Sequence, residues 1–73
     1  MYININYRYA HFDGDYVKRQ LEIHPTGALL LIAGRDDESI CEISLKETRL
    51  HERPGAEITS DEFNDVWKNY GGE

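Results

Sequence analysis

One stretch of this 73-residue chain carries helical spacing, and it is signposted at both ends. In Ile58-Thr59-Ser60-Asp61-Glu62-Phe63, Thr59 can accept from free N–H groups of the first turn, while Glu62 reaches back to the cap's own N–H. Ile58 and Phe63 stand at the two positions of a hydrophobic staple. Phe63, Val66, Trp67 and Tyr70 then repeat on one face, and Gly71-Gly72 stops the run. The spacing predicts a helix over about 60–70, roughly 16 Å long at 1.5 Å per residue. Every earlier apolar segment reads as strand, so this helix has to roof a sheet.

Residues 2–11 alternate, with Ile3, Ile5, Tyr7 and Tyr9 on one side and Asn4, Asn6 and Arg8 on the other. Asp13-Gly14 punctuates that strand, and a second runs over 16–24 with Val17, Leu21 and Ile23 on one face. A loop of Asp13 and Gly14 alone would set the apolar row of one strand against the polar row of the other, because a one-residue slip exchanges the faces. Adding Asp15 pairs Tyr7 with Leu21 and Ile5 with Ile23, so a three-residue loop or a bulge is expected, with Gly14 or Asp15 left-handed. His24-Pro25-Thr26-Gly27 forms the next turn, and the apolar run 28–33 reads as a central strand covered on both faces. A buried helix is the alternative for that run, since Leu and Ala favour helix. After the polar turn at Gly34-Arg35-Asp36-Asp37-Glu38, Cys41, Ile43 and Leu45 alternate in a fourth strand over 39–46. The signal then fades toward Pro54-Gly55.

The expected assembly is a single α+β domain spanning 1–73. Four mostly antiparallel strands form a meander, with one C-terminal helix packed on one face. A chain this short buries only ~60% of its unfolded surface and usually needs a supplement. Cys41 is the single cysteine, which excludes an internal disulfide, and no cluster has structural-zinc spacing. Leu29 to Ile32 offer apolar side chains to both faces, of which the helix covers one. A second copy or curling of the sheet would cover the other, so a homodimer is expected.

Fourteen acidic against eight basic side chains give a formal charge of −6. This balance disfavours nucleic-acid binding, which relies on a concentrated basic face. No run approaches the ~20 apolar residues of a membrane span, and the N-terminus lacks a secretory pattern. A cytoplasmic chain is the expectation.

Candidate sites are few. His11-Phe12-Asp13-Gly14-Asp15 brings an imidazole and two carboxylates together, but Asp and Gly are also ordinary hairpin residues. Cys41 could serve as a nucleophile beside a histidine, but its apolar row places it in the core, where thiols are inert. No serine sits at a hydrolase elbow and no glycine loop cradles a phosphate. Asp36-Asp37-Glu38 lies on a solvated turn, unsuited to carboxylates whose environments must differ. The expectation is therefore a non-enzymatic protein without cofactor or metal.

Protein–protein contact is the expected work, as a homodimer or as an accessory or inhibitor of a basic, nucleic-acid-binding partner. Its candidate contacts are Asp36, Asp37, Glu38, Glu57, Asp61, Glu62 and Asp65. Of these, Asp61 and Glu62 also serve the helix dipole, and the others suit a solvated surface. The alternative is a single-stranded RNA- or DNA-binding module that stacks bases on the Tyr2, Tyr7, Tyr9 and Tyr16 hairpin beside Arg8.

Overall fold

A computed structural model describes residues 1–36, 38–40 and 44–72. The described residues form strands β1 (Tyr2–Ile5), β2 (Arg8–Asp13), β3 (Tyr16–His24), β4 (Gly27–Ile32) and β5 (Glu57–Ile58). Two helices accompany them, α1 (Leu45–Thr48) and α2 (Ser60–Asn69). The strands make one antiparallel sheet in the order β4-β3-β2-β1-β5. The α+β class and the roofing helix agree with expectation, but the sheet has five strands, and the run 28–33, expected at its centre, forms the edge strand β4, covered on its faces by α2 and by the segment around Leu45.

The stretch 2–11 is a hairpin rather than one strand. Ile5 pairs with Arg8 across a two-residue loop, and Asn6 takes the left-handed conformation at φ 58° that such loops require. Tyr9 rather than Tyr7 therefore faces Leu21, and Ile5 faces Arg8 rather than Ile23. Tyr7 keeps one tie to β3, its carbonyl accepting the Ile23 N–H at 2.9 Å.

The turn between β2 and β3 holds two residues, Gly14 and Asp15, with Gly14 at φ 70°. The expected bulge is present but lies further along, where Lys18 has no partner between the Phe12–Val17 and His11–Arg19 pairs. That extra residue sends Val17 to the face opposite Leu21, although the two share a parity in the sequence.

Two apolar clusters result, one on each face. Leu21, Phe63 and Trp67 form the helix-side core, joined by Tyr2, Tyr9, Leu30, Ile32 and Ile58. Ile3, Phe12, Val17 and Leu31 form the other, closed by Ile40, Leu45 and Ala56, with Leu50 packed beside them. The chain itself thus covers the face that α2 leaves open. The reason for expecting a second copy there, or curling of the sheet, falls away.

The expected fourth strand over 39–46 is not formed at either of its ends. Ser39 and Ile40 close a turn onto the Asp36 carbonyl, and Leu45 and Lys46 begin α1. Cys41, Glu42 and Ile43 lie outside the described residues. A long-range anchor decides the local structure. Asp15, in the β2–β3 turn, accepts from Ser44 Oγ at 2.5 Å and from the Lys46 N–H at 2.7 Å, and its carbonyl accepts the Leu45 N–H at 2.8 Å. Ser44 in turn accepts the Glu47 N–H at 3.2 Å and caps the short helix.

α2 starts at the expected cap, although the Glu62 carboxylate accepts from the Thr59 hydroxyl at 3.3 Å rather than from its backbone N–H. Glu62 donates its N–H to Thr59 Oγ1 at 3.1 Å, and Ile58 packs into the cluster that holds Phe63. At the other end, Gly72 donates its N–H to the Trp67 carbonyl at 2.8 Å, and its backbone approaches the indole closely. A Cβ on Gly72 would sit 2.2 Å from the Trp67 ring.

Candidate interaction surface

The acidic candidates divide between two edges of the sheet. Asp36 follows β4, where its carboxylate accepts from the Ile32 N–H at 2.9 Å and from Arg35 Nε at 2.8 Å. Those two donors, the backbone N–H first, hold its pKa below the usual carboxylate range. Glu38 is exposed on the same turn, and Asp37 lies outside the described residues. Glu57 stands on β5, the opposite edge, and Asp61, Glu62 and Asp65 are exposed on the α2 that follows. Asp61 and Asp65, four apart, share a helix face.

The groups of the His11 to Asp15 stretch are engaged in separate tasks. Asp15 anchors α1, hydrogen bonds from Ser44 and then Lys46 holding its pKa down. Asp13 is exposed at the end of β2. His11 lies under the helix, stacked on Tyr2 with ring centres 4.3 Å apart, and its Nδ1 accepts from Arg19 Nε at 3.1 Å. Burial, and then the Arg19 charge, lower its pKa to about 4. The ring is neutral at pH 7 and holds its proton on Nε2, since Nδ1 is an acceptor.

The tyrosines separate as well. Tyr2 and Tyr9 pack in the helix-side cluster, while Tyr7 is 71% and Tyr16 61% exposed. Tyr7 sits at one end of β2 and Tyr16 at the other, roughly 20 Å apart at 3.4 Å per residue, so they do not form one stacking platform. Tyr7, Ile23, His24 and Pro25 line an apolar cleft of about 300 Å³ at the tip of the first hairpin.

A second cleft was not foreseen. It opens between β4 and the end of α2, with walls from Leu30, Ile32 and Trp67 and two guanidinium groups, Arg19 and Arg35, on its lining. Arg19 was legible only as a charge in the otherwise apolar row of β3. Among the described residues no helix is long and apolar enough to cross a membrane.

A family model described as the Myosin VI cargo binding domain matches residues 2–72. Unconventional myosin-VI of Homo sapiens is 48% identical over 65 residues, which cover 88% of this chain and 5% of that protein. The myosin heavy chain 95F of Drosophila melanogaster is 50% identical over 66 residues, 89% of this chain and again 5% of that protein. The chain thus spans about one-twentieth of the length of these relatives. With a match over nearly its whole length, it belongs to the myosin VI cargo-binding-domain family.

Proposed function

We propose that this domain works by protein contact, holding segments of cargo proteins. The observation that carries the reading is the family match over residues 2–72. The surface is consistent with it, because exposed Tyr7 rims an apolar cleft at a hairpin tip, and tyrosine gives contact area at low entropic cost. Glu57, Asp61, Glu62 and Asp65, clustered in sequence around the start of α2, would steer basic segments of a partner, with Asp36 and Glu38 doing so at the far edge. Inhibition of a basic partner and self-association are narrower forms of this proposal. A cytoplasmic site of action belongs to it as well.

The test is affinity capture from the source cell, read by mass spectrometry, for the wild-type chain and for Tyr7→Ala. Tyr7 is solvent-exposed, so the variant should melt like wild type and lose specific protein partners. Charge reversal at Asp61 and Asp65 should slow association in a salt-dependent way. Tight binding of a single-stranded oligonucleotide at physiological salt, strengthened by that reversal, would overturn the reading in favour of nucleic acid.

A further inference from the structure

Arg19 is a half-buried cation whose immediate partners carry no charge. Its Nε donates to His11 Nδ1 and its Nη1 to Asn64 Oδ1, both at 3.1 Å. The guanidinium carbon lies 4.8 Å from the centre of the Phe63 ring and 5.3 Å from that of Trp67. His11 is neutral at pH 7, as argued above. No carboxylate among the described residues lies within ion-pair distance of Arg19. Two of its five N–H groups are therefore spent on neutral acceptors, and among the described residues the positive charge is met by aromatic rings rather than by a carboxylate. Partly desolvated charges of this kind are ordinarily paired.

The cleft that Arg19 lines has a volume of about 350 Å³. Leu30, Ile32 and Trp67 give it apolar walls, and Gly72 lines it close to the indole, where a side chain would collide. Arg35 also lines it, but that guanidinium is already paired with Asp36 at 2.8 Å. Beside the cleft runs the outer edge of β4. There the Ile32 N–H is taken by Asp36, and by strand alternation Leu30 turns its N–H and C=O outward.

We propose that this cleft receives an acidic side chain, Asp or Glu, of an extended partner segment, with Arg19 holding the carboxylate and Leu30, Ile32 and Trp67 the apolar residue beside it. The proposal rests on the partner-docking reading and specifies the chemistry of the partner. One guanidinium fork matches the two oxygens of a carboxylate. A phosphate dianion calls for several converging donors or a nest of backbone N–H groups, which the lining does not supply. The net charge of −6 does not oppose this, because distant surface charges are screened within about 8 Å at physiological ionic strength.

The experiment is selection of a random-peptide phage library on the wild-type chain. Bound peptides are then mapped by NMR on the Arg19 Nε–H and Trp67 indole N–H signals. Selected peptides should share an Asp or Glu next to a bulky apolar residue and should move both signals. Changing that acid to its amide in the peptide should weaken binding about tenfold or more. Arg19→Gln should produce a similar loss and Arg19→Lys a smaller one. If Arg19→Gln does not fold, the change within the peptide still decides. Peptides that bind only around Tyr7, or that bind this cleft equally well as amides, would overturn the carboxylate site while leaving the docking reading in place. Inorganic phosphate moving the Arg19 signal at lower concentration than the acidic peptide would also overturn it. Failure of cellular partner capture, with acid-dependent peptide binding intact, would sink the docking reading instead.

Discussion

Phe63→Ala should remove a large part of the stability of this domain. The ring is fully buried, 5.4 Å from Tyr2 and 5.9 Å from both His11 and Trp67, with the Arg19 guanidinium 4.8 Å from its centre. A Phe→Ala change in a core costs ~3–5 kcal/mol, and the surrounding rings, held by the sheet on one side and the helix on the other, have little freedom to collapse into the space. A 73-residue domain has a total stability of roughly 4–11 kcal/mol at 0.05–0.15 kcal/mol per residue. The loss is therefore about a quarter of the whole or more. With a urea slope of about 1 kcal/mol/M for so small a chain, the midpoint should fall by roughly 3 M. Far-UV circular dichroism is the suitable probe, because Trp67 fluorescence changes locally when its stacking partner is removed. Phe63→Leu, which keeps most of the volume, should cost less than about 1.5 kcal/mol. A midpoint shift below roughly 1 M for Phe63→Ala, at unchanged slope, would refute the claim that this ring joins helix to sheet.

Three further outcomes are expected. Thr59→Ala removes the oxygen that accepts the Glu62 N–H and should cost ~1 kcal/mol in the same melt, well short of Phe63→Ala. His11 has its pKa lowered from 6.5 to about 4, so the unfolded chain takes up a proton before the folded one does. That contribution to stability is present above pH 6.5 and is lost as pH falls toward 4. Urea midpoints of wild type against His11→Asn should therefore converge across that window. Asp15→Ala releases Ser44 and the Lys46 N–H, and hydrogen exchange at Leu45 and Lys46 should speed up while the β2–β3 ladder stays protected.

The elements legible in the sequence are those whose causes are local. Thr59, Glu62 and the Phe63, Val66, Trp67 spacing specify α2, and the turn at Pro25-Thr26 and the Asp13-Gly14 punctuation bound β3 at its two ends. The hairpin at Asn6-Tyr7 was hidden because Ile3, Ile5, Tyr7 and Tyr9 keep one parity through it. Its signal was Asn6, a residue that tolerates the left-handed conformation. Ser44-Leu45-Lys46-Glu47 also spells a capping pattern, but the anchor that makes it a helix is Asp15, 29 residues away. The bulge at Lys18 has no local mark, and with it went the correct face of Val17. Arg19 fared similarly. Its place in an apolar row was visible, but the absence of a counter-charge among the described residues could be read only once Phe63, Asn64 and Trp67 were seen around it.

The pairing of Tyr2 with Ile58 has a consequence for the order of assembly. The first four strands are joined by two-residue turns, so each hairpin closes at small entropic cost and on a microsecond scale. β5 has to find β1 across more than fifty intervening residues, and α2 follows it directly. Loop-closure entropy rises with the logarithm of loop length, so this pairing comes after the meander that offers it an edge. Strand β1 is thus formed early on one side and completed late on the other. Substitutions at Ile58 or Phe63 should then accelerate unfolding while leaving the folding rate almost unchanged, whereas substitutions at Leu21 should slow folding.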